Sequence, residues 1–197
     1  MSRLAAHAHW VFDLDGTLTV AAHDFDAIRA ELALPAGKPI LESLAALPPD
    51  ESAALRERLD EIELVIARDA CAAAGAAELL AELQSRGARL GILTRNSRRN
   101  ALATLAACGL VGFFHQDDVV DRDTAPPKPH PDGLLHLFAR WRAPAERAVM
   151  VGDYLFDLQA GRSAGAVTVY VDPSGAFPFA EHADVVVRDL EELRGHV

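Results

Sequence analysis

Three apolar runs in this chain each end in residues able to do acid–base or ion chemistry. His9–Leu14 runs into an acidic cluster, Asp13-Leu14-Asp15-Gly16-Thr17. Arg89–Leu93 ends at Thr94-Arg95-Asn96, and Ala148–Val151 ends at Gly152-Asp153 with Asp157 beyond. A fourth stretch, Pro126-Pro127-Lys128-Pro129, reads as a loop entering a helix and carries one lysine. Gathered in one place, carboxylates of this kind repel one another at neutral pH unless a counter-charge is supplied. A divalent cation with oxygen ligands meets that need. Mg2+ suits it, because that ion takes one or two carboxylates, keeps several waters and accepts a phosphate oxygen. Lys128 adds a fixed positive charge for phosphate oxygens, and Thr94 adds a hydroxyl donor. Gly16 permits a tight turn whose N–H groups can face an anion.

The elements that must gather these residues are legible in outline. The runs at 9–14, 89–93 and 148–151 read as short buried strands. Ala166–Val171 is a fourth, and Val185–Val187 an edge strand. Helical patterns lie between them: Ala76–Arg86 stopping at Gly87, Ser97–Cys108 stopping at Gly109, Pro131–Trp141 with proline in its first turn, and Leu155–Ala164 stopping at Gly165. Strands alternating with helices predict an α/β fold, a doubly wound parallel sheet covered on both faces. All carboxyl ends then share one edge, where ligands bind. Asp13, Asp15, Thr94 and Asp153 are expected to converge there.

The alternation breaks between Val20 and Ala74, which reads as helices only. Asp24 caps a first helix through Leu32, Pro39–Leu47 is a second, and Asp50 caps a third running to about Ala73. The expected organisation is a core of residues 1–19 and 75–197 with a small helical insert, residues 20–74.

Taken in order, Asp13-Leu14-Asp15-Gly16-Thr17-Leu18, then Thr94, then Lys128 in Pro-Pro-Lys-Pro, then Val151-Gly152-Asp153 through Asp157 to Gly165, resemble the four motifs of the haloacid dehalogenase superfamily. The likeness is to its helical-cap members of the phosphoglycolate phosphatase kind. The resemblance implies a Rossmann-like core and a phosphatase acting on a small phosphorylated metabolite through an aspartyl phosphate. It implies that Asp13 is the nucleophile and Asp15 the general acid and base. Thr94 and Lys128 would bind phosphoryl oxygens. Mg2+ would sit on Asp13, Asp153 and the main-chain carbonyl of Asp15, with Asp157, Gly16 and Thr17 in support. A carboxylate nucleophile would split hydrolysis into two easier steps, and positioning plus charge neutralisation would do the rest.

Several features set this chain apart. After Leu18 it reads Thr19-Val20-Ala21-Ala22-His23, without the acidic residue and serine that many capped relatives have. Arg95 follows the phosphate-binding threonine and is a candidate for a second anionic group of the substrate, or for an ordinary salt bridge. Arg68 is a weaker candidate for substrate contact, while Arg98 and Arg99 read as helix surface. The short insert argues against a phosphomutase. Asp15 with the Thr94 and Lys128 pair argues against a dehalogenase, and Lys38, the only lysine of the insert, sits in a turn ill placed for Schiff-base chemistry. A non-catalytic binding module on the same fold is the remaining alternative. The eight histidines show no metal-ligand spacing and read as structural or exposed, with His130 a weak candidate to border the site by its nearness to Lys128. Cys71 and Cys108 read as small buried apolar residues.

Composition excludes other classes. The chain has 197 residues, half of them apolar, and a net charge of −10. Such acidity gives no electrostatic reason to seek nucleic acid or an anionic membrane. No apolar run approaches the ~20 residues that span a bilayer, and Arg3 precedes no signal-peptide core. The expectation is a cytoplasmic enzyme, monomer or homodimer.

Overall fold

The computed structural model describes residues 4–197, so Arg3 and the first three positions of the expected core lie outside the described residues. Six strands form one sheet in the order β3-β2-β1-β4-β5-β6, where β1 is His9–Phe12, β2 Arg89–Leu93, β3 Val119–Val120, β4 Ala148–Gly152, β5 Val167–Val171 and β6 Val185–Val187. Every pairing is parallel. The parallel α/β expectation holds, with β6 at one edge. The other edge is β3, a two-residue strand absent from the sequence reading.

Parallel strands need helical crossovers, and these cover both faces. The helices α4 (Ala76–Ser85), α5 (Arg98–Ala107) and α8 (Leu190–Arg194) close over Trp10, Phe12 and Ile92. On the opposite face α6 (Asp132–Trp141) and α7 (Leu155–Ala164) close over Val11, Leu93 and Met150. Alternate β1 residues thus serve two cores, as a period of two requires. Gly161 sits where a Cβ would press on Thr168 and Met150, so its role is close packing of α7 on the sheet. Gly165 ends α7 in the left-handed region at φ 81°.

Between β1 and α4 lie three further helices, α1 (Phe25–Glu31), α2 (Ile40–Ala45) and α3 (Pro49–Arg68). They carry an apolar cluster of their own, with Ile28, Leu32, Leu41, Leu44 and Leu59 buried. Asp24 caps α1 by accepting from the Ala27 N–H at 2.9 Å. The expected cap of α3 is corrected: Pro48 is its N-cap, and Asp50 and Glu51 lie inside the first turn. Pro49 suits the first helical position because its missing N–H has no helical partner anyway. The helix stops at Arg68 rather than near Ala73. Two segments joining this insert to the sheet run side by side, with Val20 N–H donating to Cys71 O and Ala73 N–H to Leu18 O, each at 2.9 Å. Cys71 is exposed at this joint, contrary to the expectation of burial; Cys108 is half-buried against the core.

Candidate active site

Register alone brings the motifs together. Phe12 stands opposite Ile92 on β2 and opposite Val151 on β4. Asp13 is therefore level with Leu93 and Gly152, and Thr94 and Asp153 follow one residue later on the flanking strands. The chain runs from β1 outwards to β3, then returns to β4 on the other side of β1, so this edge is a topological switch point.

Lys128 is buried and holds two carboxylates. Its Nζ lies 2.5 Å from Asp13 Oδ1 and 2.6 Å from Asp157 Oδ1. The other Asp157 oxygen accepts from the Tyr154 N–H at 3.0 Å, closing the first turn of α7. Gly152 leaves room for this arrangement, since a Cβ there would collide with the Asp157 side chain. Gly16 does the same for Asp153: it turns at φ 83°, and a Cβ on it would run into the Asp153 carboxylate. Thr17 is buried with its hydroxyl 3.5 Å from Asp153 Oδ1. Thr94 is buried, and its oxygen accepts from the Asn96 N–H at 3.1 Å, which leaves its proton available to an anion.

The electrostatics are lopsided. Burial pushes Asp153 up to about 8, with the charges of Asp13 and Asp157 adding to the rise. Burial also raises Asp157 to about 6 and lifts Asp13, in both cases against the pull of Lys128. Desolvation lowers Lys128, but the two carboxylates outweigh it and hold the ammonium charged. Asp15 points elsewhere. Its Oδ2 accepts from Asn96 Nδ2 at 2.7 Å, and burial raises it to about 6, moderated by Asn96 and Lys128. A carboxyl so raised is fitted to give and take protons near neutrality.

Ligand oxygens of Asp13, Asp153 and Asp157 lie within 4.8 Å of one another. The donors are all hard oxygens, their charges exceed that of Lys128, and the set fits a divalent cation. Both Asp157 oxygens are engaged, by Lys128 and by the Tyr154 N–H, whereas Asp13 and Asp153 each use only Oδ1 on a protein group and keep Oδ2 for a cation.

The haloacid dehalogenase-like hydrolase family model matches residues 9–165. The chain belongs to that family. It is 31% identical over 185 residues to a haloacid dehalogenase-like hydrolase domain-containing protein of Arabidopsis thaliana, covering 85% of this chain and 71% of that one. It is 32% identical over 214 residues to a phosphoglycolate phosphatase of Caulobacter vibrioides, covering 92% and 87%. Among solved structures, a hydrolase from Pseudomonas syringae superposes with a TM-score of 0.79 at 25% identity, over 96% of this chain and 97% of that one.

In this haloacid dehalogenase-like hydrolase the edge opens into a cavity of about 390 Å3, with Asp13, Asp15, Thr94, Lys128 and Asp153 on its floor and α1–α3 as its roof. Arg95 also lines it, but the guanidinium is engaged. Nη2 donates to both oxygens of Glu42 on α2, at 2.9 and 2.7 Å, Nη1 to the Lys128 carbonyl, and its carbon lies 5.1 Å above the Phe156 ring. Arg68 is exposed and does not line the cavity, and His130 is exposed beside Asp132. Arg98 does more than coat a helix: it donates to the carbonyls of Gln116 and Val119.

Among the histidines read as structural or exposed, His23 stands apart. Its side chain is 7% exposed, lines the cavity and brings Nδ1 to 3.8 Å from Asp15 Oδ1; burial lowers its pKa. No spacing rule marks it, because it lies in the coil before α1 and its partner Asp15 sits in the loop after β1. Asn96 was missed as the donor to Asp15 for the same reason.

Proposed function

We propose that this hydrolase is a Mg2+-dependent phosphatase of small phosphate monoesters, working through a phospho-aspartate on Asp13. The reading divides the chain into a catalytic core, residues 1–19 and 75–197, and a helical cap, residues 20–74. One observation carries it: a buried lysine is clamped between Asp13 and Asp157 at the cavity floor, with a carboxylate oxygen of Asp153 within 4.8 Å of theirs. The names of relatives support it, a phosphoglycolate phosphatase and a pyrophosphatase of Bacillus pumilus among them.

Asp13 attacks phosphorus as the bond to the leaving oxygen breaks, and Asp15 gives that oxygen its proton. Asp15 then takes a proton from the water that releases phosphate from Asp13. Lys128 and the Thr94 hydroxyl hold phosphoryl oxygens in line. Asp13, Asp153 and the main-chain carbonyl of Asp15 would hold Mg2+, which when bound offsets the negative charge of nucleophile and phosphoryl group. The roof limits the substrate to a small ester and screens the reacting groups from bulk solvent.

Hydrolysis of p-nitrophenyl phosphate with and without Mg2+ tests the proposal. Turnover that requires the metal, and falls by about 10^4-fold or more in Asp13→Asn, is expected. Undiminished turnover in that variant removes Asp13 from its role. No turnover of any ester under any condition leaves a binding module.

A further inference from the structure

Behind the Thr94–Asn96 loop lies a polar cluster that the mechanism above does not use. Arg122 follows β3 in a turn, and its side chain is only 3% exposed. Its Nη1 donates to Glu63 Oε2 at 2.9 Å and to the Arg95 carbonyl at 3.3 Å; its Nη2 donates to Asp60 Oδ1. Its backbone N–H donates to the Asn96 carbonyl at 3.1 Å. Asp60 and Glu63 are neighbours on one face of α3. Asn100 of α5, fully buried, completes the cluster by donating to the Asp60 carbonyl at 3.0 Å.

A buried ion cluster is a poor device for stability alone, because apolar groups of like volume hold a helix to a core as well or better. What this one adds is direction. The guanidinium, fixed by two carboxylates of the cap, grips the Arg95 carbonyl, while the backbone N–H of the same residue holds the Asn96 carbonyl. Held on that side, Asn96 turns its amide towards the cavity, where it meets Asp15 at 2.7 Å. The chain of contacts runs from α3 through Arg122 and Asn96 to the carboxyl that handles the proton.

We propose that Arg122 is a positioning residue for the general acid, coupling the seating of cap helix α3 to the aim of Asp15. The inference rests on the phosphatase reading. Its signature follows from what Asp15 does. A general acid matters when the leaving oxygen is strongly basic and hardly at all when it leaves readily as an anion. Loss of aim therefore harms poor leaving groups selectively, whereas loss of general integrity harms all esters alike.

The test compares kcat/KM for p-nitrophenyl phosphate, phenyl phosphate and ethyl phosphate, with Mg2+, in the wild type, Arg122→Gln and Asp60→Asn, with Asp15→Asn as reference. Arg122→Gln is expected to lose at least about tenfold on ethyl phosphate and less than about twofold on p-nitrophenyl phosphate, a weaker copy of Asp15→Asn. Asp60→Asn, which does not line the cavity, is expected to show the same trend to a smaller degree. It carries the test alone if Arg122→Gln does not fold. Equal losses on all three esters, or none, overturn the inference. A wild type that hydrolyses none of them overturns the phosphatase reading itself.

Discussion

On the floor of the cavity Asp13, Asp15, Asp153 and Asp157 face a single ammonium, that of Lys128, and each of those carboxyls is pushed above its usual range by burial. Across the cavity each carboxylate has a guanidinium partner instead: Glu42 on Arg95, Asp60 and Glu63 both on Arg122, Asp26 on Arg29. Beneath those pairs the roof has an apolar cluster of its own. The two regions use the same residue types to different ends. Matched charges hold a joint, and they do so without any ligand. An uncompensated set is costly in the free protein and becomes favourable when a cation and a phosphoryl group are bound. On the proposed function, the floor gives up stability for binding.

Removing the Lys128 ammonium from the floor should break the contrast most severely. Lys128→Met leaves Asp13 and Asp157 buried without their partner. A loss of about 3–5 kcal/mol is expected, together with loss of turnover, measured by urea unfolding and ester hydrolysis. Unchanged stability would mean that the floor carboxyls are protonated in the free enzyme and that Lys128 compensates nothing.

A pH series sharpens the same point. Asp15 and Asp157 at about 6, Glu63 at about 7 and Asp153 at about 8 all lie above their unfolded values. The native state therefore binds more protons than the unfolded state between about pH 4 and pH 8, and stability falls as pH rises through that window. The metal-free protein should melt at lower temperature at pH 8 than at pH 5. Added Mg2+ should reverse the trend by stabilising the ionised floor, most strongly at the alkaline end. A melting temperature that rises with pH in the absence of metal would contradict the floor's charge excess.

How much of this was legible in the sequence divides along the same line as the two regions. Asp13, Thr94 and Asp153 each sit just past an apolar run, so the parallel-sheet rule alone predicted their meeting, and the strands bear it out. Strand β3 escaped because two valines between acidic residues carry no periodicity. The joint escaped for a different reason. Arg122, Glu63, Asn96 and Asp15 are joined by contacts spanning tens of residues, and nothing local distinguishes Arg122 from a solvated arginine. His23 escaped similarly: its burial depends on the roof, which no pattern within Val20–Ala74 positions over the core. Cys71 was misjudged because cysteine's usual preference for the interior says nothing about a linker at the surface.

The smallest effect is expected at the outer end of the roof. Glu42→Gln removes a pair that is about half exposed on the Glu42 side. It should change stability by less than about 1 kcal/mol while freeing the Arg95 guanidinium towards the cavity. An altered KM with kcat preserved is the expected kinetic trace. A loss as large as that of Lys128→Met would erase the distinction between floor and roof.

The proposed mechanism requires Asp13 to take the phosphoryl group beside Lys128. Rapid acid quench of the Mg2+-loaded enzyme during turnover of a radiolabelled phosphate ester, followed by peptide mapping, tests that directly. Label on the peptide containing Asp13, absent in Asp13→Asn, is the predicted result. Turnover that proceeds with no label on the protein, or with label on another residue, contradicts it.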